Sequence, residues 1–436
     1  MNETINVFWF RRDLRLEDNA GLFHALNGNH PVLAIFIFDK EIIDTLNKND
    51  ARLTFIHDTI STMNSLLNKV YNSSIKTFYG RPADIFNELS HEYNIGTVFT
   101  NHDYEPYAIN RDLNIKNLLE KNNIGFNSFK DQVVFETNEI VKDDGLPYKV
   151  YTPYSKKWIS ALENNPIESF QSQDLLERLI NPLSSDMLSL NDINFKTSNQ
   201  KITPYNISDV IIDDYEATRN YPSKNGTSKI GPHLRFGTLS VRRMAIKAMK
   251  SDNITFLKEL IWREFFMQIL WHFPQTVTKS FKPQYEGVRW RNDATEFKAW
   301  CEGKTGYPLV DAGMRELNQT GFMHNRVRML VGSFLCKHLL IDWRLGEAYF
   351  AEKLHDYEMS SNVGNWQWVA GCGVDASPYF RIFNPTTQIQ KFDKSLEYIG
   401  RWVPDHQELT YPMPIVDHKF ARERCLKTYK IALNKI

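Results

Sequence analysis

The sequence predicts an α/β domain with a doubly wound parallel sheet at the N-terminus, followed by an all-helical domain at the C-terminus. Three observations predict this. The chain of 436 residues exceeds one typical core. Short apolar runs alternate with amphipathic stretches over the first 130 residues, and helical spacing dominates after about residue 205.

The apolar runs INVFWF (5–10), VLAIFIF (32–38), IKTFY (75–79) and TVFT (97–100) read as buried strands, with helical spacing over 51–69 and 82–93. Ligands of such sheets bind at the carboxyl ends of the strands. No GxGxxG follows the first strand, so a dinucleotide fingerprint is absent. Residues 131–204 have weak periodicity and many polar side chains, as in SSDMLSLNDINFKTSNQ, and are expected to form an interdomain connection on the surface. The helical domain is expected over 205–436, where FLKELIWREFFMQILW and VRMLVGSFLCKHLLIDW repeat apolar residues at i, i+3, i+4 and i+7.

Net charge is zero, yet residues 1–200 carry 19 Lys+Arg against 27 Asp+Glu, and residues 201–436 carry 33 against 25. The basic half suits a polyanionic partner. Cys301, Cys336, Cys372 and Cys425 are widely spaced and contain no CxxC pair, so zinc and iron–sulfur sites are not expected. The acidic start MNETINVFWFRRD is unlike a signal peptide, and no run reaches the length of a membrane helix. A cytoplasmic protein is expected.

Eight of the ten tryptophans follow residue 261. Each can fill a core, stack on a planar ligand or pass an electron. In KELIWREF (258–265), Glu259 and Trp262 share a helical face; either Glu259 pairs with Arg263 at i+4, or acid and indole line a pocket for a base. MHNRVRM (323–329) sets Asn325 and Met329 on one face, with arginines among apolar residues, at least one of which needs an anionic partner. YPSKNGTSKIGPHLRFG (221–237) places Gly, Thr, Ser and Lys ahead of a helix, a composition suited to phosphate or to a simple turn. It is not a Walker A sequence.

These segments, with VFWFRRDLRLEDNAGL, YEPYAINRD, YTPYSKKW, EGKTGYPLVDAGMRELNQTGFMHNRVRM, DWRLGEAYF and GNWQW through RIFNPTTQ, together resemble the photolyase and cryptochrome family over nearly the whole chain. The likeness is greatest to class I photolyases that repair cyclobutane pyrimidine dimers. It implies an N-terminal antenna domain and a C-terminal FAD-binding domain. By resemblance, Tyr215, Thr227, Ser228, Lys229, Ile230 and Gly231 would hold the FAD phosphates, although relatives often have serine at Gly231. Asn325, Arg328, Asp356 and Glu358 would surround flavin and ribose, many relatives having aspartate at Glu358. Asn362 would face flavin N5. Trp366, Trp343 and Trp290 would carry electrons to the flavin in photoreduction.

The implied substrate is UV-damaged DNA with the dimer flipped out of the duplex, as photolyases as a class require. Trp262 and Trp368 would form the apolar wall against the lesion, Glu259 would bind a pyrimidine, and Asn325 and Met329 would complete the pocket. Arg219, Arg263, Arg326 and Arg381 would meet DNA phosphates. Enzymes of the family that act on (6-4) photoproducts place histidines at the two positions held here by Asn325 and Met329, so cyclobutane dimers are the expected lesion. A blue-light photoreceptor of cryptochrome or DASH type is the alternative. The resemblance also implies a monomer, and allows a second chromophore: folate, deazaflavin or a second flavin. Folate-binding relatives often have glutamate at Ala108.

Overall fold

In the computed structural model, which describes residues 3–182 and 187–434, five parallel strands form one sheet in the order β3-β2-β1-β4-β5. They are β1 (Ile5–Phe10), β2 (Val32–Asp39), β3 (Lys76–Gly80), β4 (Ile95–Asn101) and β5 (Gly125–Phe129). Every residue of β1 and β2 is buried. Alternate side chains enter two different cores: Phe8, Phe10, Ala34, Phe36 and Phe38 one, Val7, Trp9, Leu33, Ile35 and Ile37 the other. A strand buried on both faces loses its polar alternation, which is why these runs are continuously apolar.

The helices Ala51–Tyr71 and Pro82–Glu92 lie where spacing predicts them. Strand β5 escapes that reading: GFNSF has no apolar run, and its residues are only partly buried or exposed at the sheet edge. The helix Pro106–Lys121 was likewise not legible from periodicity, its polar surface outweighing the few buried positions Ala108, Ile115 and Leu119.

Two compact units are present, and neither is one continuous segment. The α/β unit takes residues 1–139, 159–205 and 230–250; the helical unit takes 140–158, 206–229 and 251–436. Two sequence-based boundaries are therefore corrected. The stretch 131–204 is not a connection alone: it contains the helix Tyr151–Asn164 and the 3₁₀ helix Ser172–Arg178, and it is shared between the units. Residues 183–186 of it lie outside the described residues. Residues 230–250, expected in the helical domain, belong to the α/β unit.

A buried ion cluster explains the second correction. Arg242 Nη2 lies 2.9 Å from Asp131 Oδ1 and 3.1 Å from Asp18 Oδ1, and Arg15 Nη2 lies 2.7 Å from Asp131 Oδ2. Burial pushes the Asp131 carboxyl upward, but Arg15 and Arg242 together hold it below its ordinary value. The pairing ties the 230–250 segment to strand-flanking loops 224 and 111 positions away.

The helical unit packs around a core containing Trp300, Trp343, Phe350 and Trp366, with a smaller cluster of Val288, Leu340, Cys425 and Tyr429. All four cysteines are free thiols. Among the described residues there is no group of metal-ligating side chains, and no helix is long and apolar enough to cross a membrane.

Candidate active site

Close helix approach builds the site. A Cβ on Gly364 would stand 2.2 Å from Phe266 Cδ1, so only glycine lets Met359–Ala370 press this tightly on Thr255–His272. On another side, a Cβ on Gly346 would stand 2.2 Å from Trp366 Cη2, which brings Trp343–Lys353 equally near.

That second contact positions Asn362. Its Nδ2 donates to the Glu347 carbonyl at 3.1 Å and to Glu347 Oε1 at 2.9 Å. Both neighbours are acceptors, so the amide nitrogen faces Glu347 and the Oδ1 acceptor is turned away from it. Burial raises the Glu347 carboxyl above its ordinary value, the Asn362 bond opposing this. The unfolded chain thus ionises at lower pH than the folded one, and stability is lost as pH rises through the folded pKa. Glu347→Gln keeps an acceptor for Asn362 and removes this titration. It is expected to melt above the parent at pH 7.5, with the difference shrinking toward pH 4; equal melting points at both pH values would contradict the assignment.

Glu259 and Arg263 do not use the partners that i, i+4 spacing offers. Glu259 pairs with Arg219, while Arg263 Nε lies 3.1 Å from Glu358 Oε2, with side-chain exposures of 11% and 7%. Arg263, expected on DNA phosphates, is therefore a neutralised interior cation. Arg328 forks onto Asp356, with Nη1 to Oδ1 at 3.1 Å and Nη2 to Oδ2 at 2.9 Å, and its Nε donates to the Met323 carbonyl at 2.7 Å. This is the anionic partner that MHNRVRM required.

Trp262 is half-buried and stacks on Tyr151, centroids 3.6 Å apart and planes within 4°. Tyr151 is fixed by its hydroxyl, which donates to the Lys258 carbonyl at 2.8 Å. Trp368 is half-buried at the edge of the core, Met329 is half-buried, and Asn325 is exposed. Arg326 donates to Asn220 Oδ1, approaches Met329 Sδ at 3.6 Å and stands 4.5 Å over the Phe392 ring. Burial, then the charges of Arg219 and Arg381, lower the Arg326 pKa. Arg381 itself is exposed.

Trp366 and Trp343 are 3% and 1% exposed in the common core, and half-buried Trp290 packs against it. Trp290 meets Tyr429 edge-on at 6.1 Å. In the segment nominated for phosphates, Tyr215, Thr227, Ser228 and Lys229 lie in the helical unit, while Ile230 and Gly231 open a segment of the α/β unit. Lys229 adopts φ 55°. The helix Gly231–Arg235 has five residues, too short for the helix-terminus reading that the sequence invited.

Glu347, Asn220 and Tyr151 were not singled out in the sequence. Glu347 lies within DWRLGEAYF and Tyr151 opens YTPYSKKW, so the motifs held them, but no local pattern names their partners.

Residues 6–172 match the family model described as DNA photolyase, and residues 256–410 match the FAD binding domain of DNA photolyase. The chain is 36% identical to the deoxyribodipyrimidine photo-lyase of Agrobacterium fabrum, covering 97% of each chain. It is 33% identical to that of Halobacterium salinarum, over 98% of this chain and 99% of the relative. A crystal structure of a bacterial class III photolyase from Agrobacterium tumefaciens superposes with a TM-score of 0.89 at 34% identity, covering 100% of this chain and 99% of that one. An archaeal photolyase from Sulfolobus tokodaii, described with two FAD molecules, gives a TM-score of 0.79 at 30% identity over 98% and 99% of the two chains. On fold, motifs and full-length identity alike, the chain belongs to the DNA photolyase family, with FAD as its cofactor.

Proposed function

We propose that this chain splits cyclobutane pyrimidine dimers in UV-damaged DNA under light. The observation that carries the reading is the orientation of Asn362: with Nδ2 spent on Glu347, the side chain presents an acceptor, and an acceptor suits a flavin whose N5 carries a proton. The residues present fit FAD: a neutral amide of fixed orientation, the Arg328–Asp356 fork, and a lysine in a Thr-Ser-Lys loop. When bound and reduced, FAD supplies one electron to the dimer on excitation and recovers it after the ring opens.

The chain's own residues would bind and shield. The Tyr151–Trp262 stack and Trp368 offer flat apolar surface to a flipped dimer. Glu259 would exchange its bond with Arg219 for one to the pyrimidine, freeing that arginine for a phosphate. Asn325 and Met329 cannot do the acid–base work that a (6-4) lesion demands, which favours the cyclobutane class. Trp290, Trp343 and Trp366 would serve photoreduction and stand outside repair itself.

Reduced protein is expected to restore dimer-containing DNA under blue or near-ultraviolet light and to leave it unchanged in darkness. No light-dependent restoration by fully reduced holoprotein would sink the proposal in favour of a photoreceptor. Glu259→Gln removes the charge that neutralises Arg219. Its repair yield is expected to fall, while the slope of log binding constant against log salt for undamaged duplex steepens by about 0.9, one additional phosphate contact. An unchanged yield and slope would assign Glu259 a purely structural pairing.

A further inference from the structure

The last helix, His418–Ala432, is tied to the rest of the helical unit by polar contacts spread along its length. His338 Nε2 stands 2.8 Å from His418 Nδ1, Arg424 Nη2 donates to the His338 carbonyl at 2.6 Å, and the Tyr429 hydroxyl donates to the Ala370 carbonyl at 2.9 Å. Of these, only the histidine pair can titrate between pH 5 and 8. His338 is fully buried at the end of the π-helical turn Phe334–His338, its ring stacked on Phe334 at 4.7 Å and lying 6.2 Å from that of Tyr307. His418 is half-buried.

Two ring nitrogens this close share one bridging proton, and the surroundings decide which ring supplies it. His338 Nδ1 has no hydrogen-bond partner among the described residues, and the Tyr307 hydroxyl nearby is spent on the Val416 carbonyl at 2.7 Å. A proton on Nδ1 would be a buried donor without an acceptor, in the field of Arg424 and Lys337. His338 therefore carries its proton on Nε2 and donates it to His418 Nδ1. Burial first, then His418, Arg424 and Lys337, bring the His338 pKa down to about 3. His418 opens its helix, where the dipole opposes a positive ring; burial lowers its pKa, with Asp417 opposing and Arg422 adding to the effect. A second proton has no place in this arrangement. On His418 Nδ1 it would meet the Nε2–H of His338, and relieving that clash moves the His338 proton onto the unpartnered Nδ1.

We infer that His338 and His418 form a proton-gated clasp on the helix His418–Ala432, closed by a single bridging proton and opened by acid from the helix's N-terminal end. Because folding depresses the affinity of both rings for protons, the clasp contributes its stability above about pH 6.5 and loses it as pH falls. Opening loosens the face that carries Ala421 and Cys425, and with it the cluster of Val288, Leu340, Cys425 and Tyr429 against which Trp290 packs.

Amide exchange of the FAD-bound full chain, read by mass spectrometry as protection factors, tests the clasp. Between pH 7.5 and pH 5.0, opening of the segment 417–428 is expected to rise about thirtyfold, the factor for one imidazole that titrates near 6.5 when released and stays neutral when clasped. Protection in Met359–Ala370 should change little. His338→Gln puts an amide near the place of Nε2, and this amide can turn its oxygen toward a protonated His418, so the pH dependence should vanish. The same fall in the variant as in the parent overturns the inference, and so does an equal fall in Met359–Ala370, which would be general acid unfolding. The parent alone gives a second reading through nitrogen-15 spectra of labelled histidine rings. They should show the His338 proton on Nε2; a proton on Nδ1, or a His418 that titrates at the ordinary value of about 6.5, would equally end the proposal.

Discussion

Arg263→Ala is expected to destabilise the helical unit by about 3–5 kcal/mol, the range for removing one partner of a buried ion pair. The pair qualifies because both side chains are nearly sequestered, at 11% and 7% exposure, with Arg263 Nε 3.1 Å from Glu358 Oε2. Its energy does not come from the attraction, which desolvation largely offsets; it comes from taking the guanidinium away from the Glu358 carboxylate in a poorly solvated place. The double variant Arg263→Ala with Glu358→Ala should accordingly recover part of the loss. Urea unfolding of the FAD-free chain measures this, and a loss below about 1 kcal/mol would mean that the pair behaves as a surface bridge. Because Glu358 was also expected near the ribose, FAD retention should fall in both variants.

Gly346→Ala should cost about 1–3 kcal/mol through overpacking. The added Cβ would stand 2.2 Å from Trp366 Cη2 and 2.6 Å from Leu335 Cδ2. Trp366 cannot retreat easily, since Phe350 meets its ring edge-on at 4.9 Å and Trp300 at 6.1 Å. The indole or the whole Trp343–Lys353 helix must shift, and that helix carries Glu347, which orients Asn362. Slower photoreduction of FAD under blue light is therefore expected with the lower melting temperature. A variant of parental stability and photoreduction rate would show that the two helices adjust without moving Trp366.

Much of the fold was legible. Strands β1 and β2 announce themselves because burial on both faces removes polar residues from the run. β5 and Pro106–Lys121 were not legible, since edge position and solvent-facing surface dilute the same signal. Chain segments that interleave between units leave no local mark either. Residues 230–250 join the α/β unit through Arg242, whose acids Asp18 and Asp131 sit 224 and 111 positions away.

The site divides along the same line. Glu259, Trp262, Asn325, Met329, Asn362 and Trp368 could be nominated by motif, because residue type and order are local properties that the family resemblance preserves. Their partners could not. Helical spacing offered Arg263 to Glu259, yet Arg219 at a separation of 40 takes the acid, and Glu358 at a separation of 95 takes Arg263. Asn362 owes its orientation to Glu347, on a neighbouring helix. Composition and periodicity report which side chains a segment must bury, a requirement each segment carries alone. Which charge neutralises which, and which way an amide turns, depends on groups brought within about 3 Å by folding, a scale on which sequence separation carries no information.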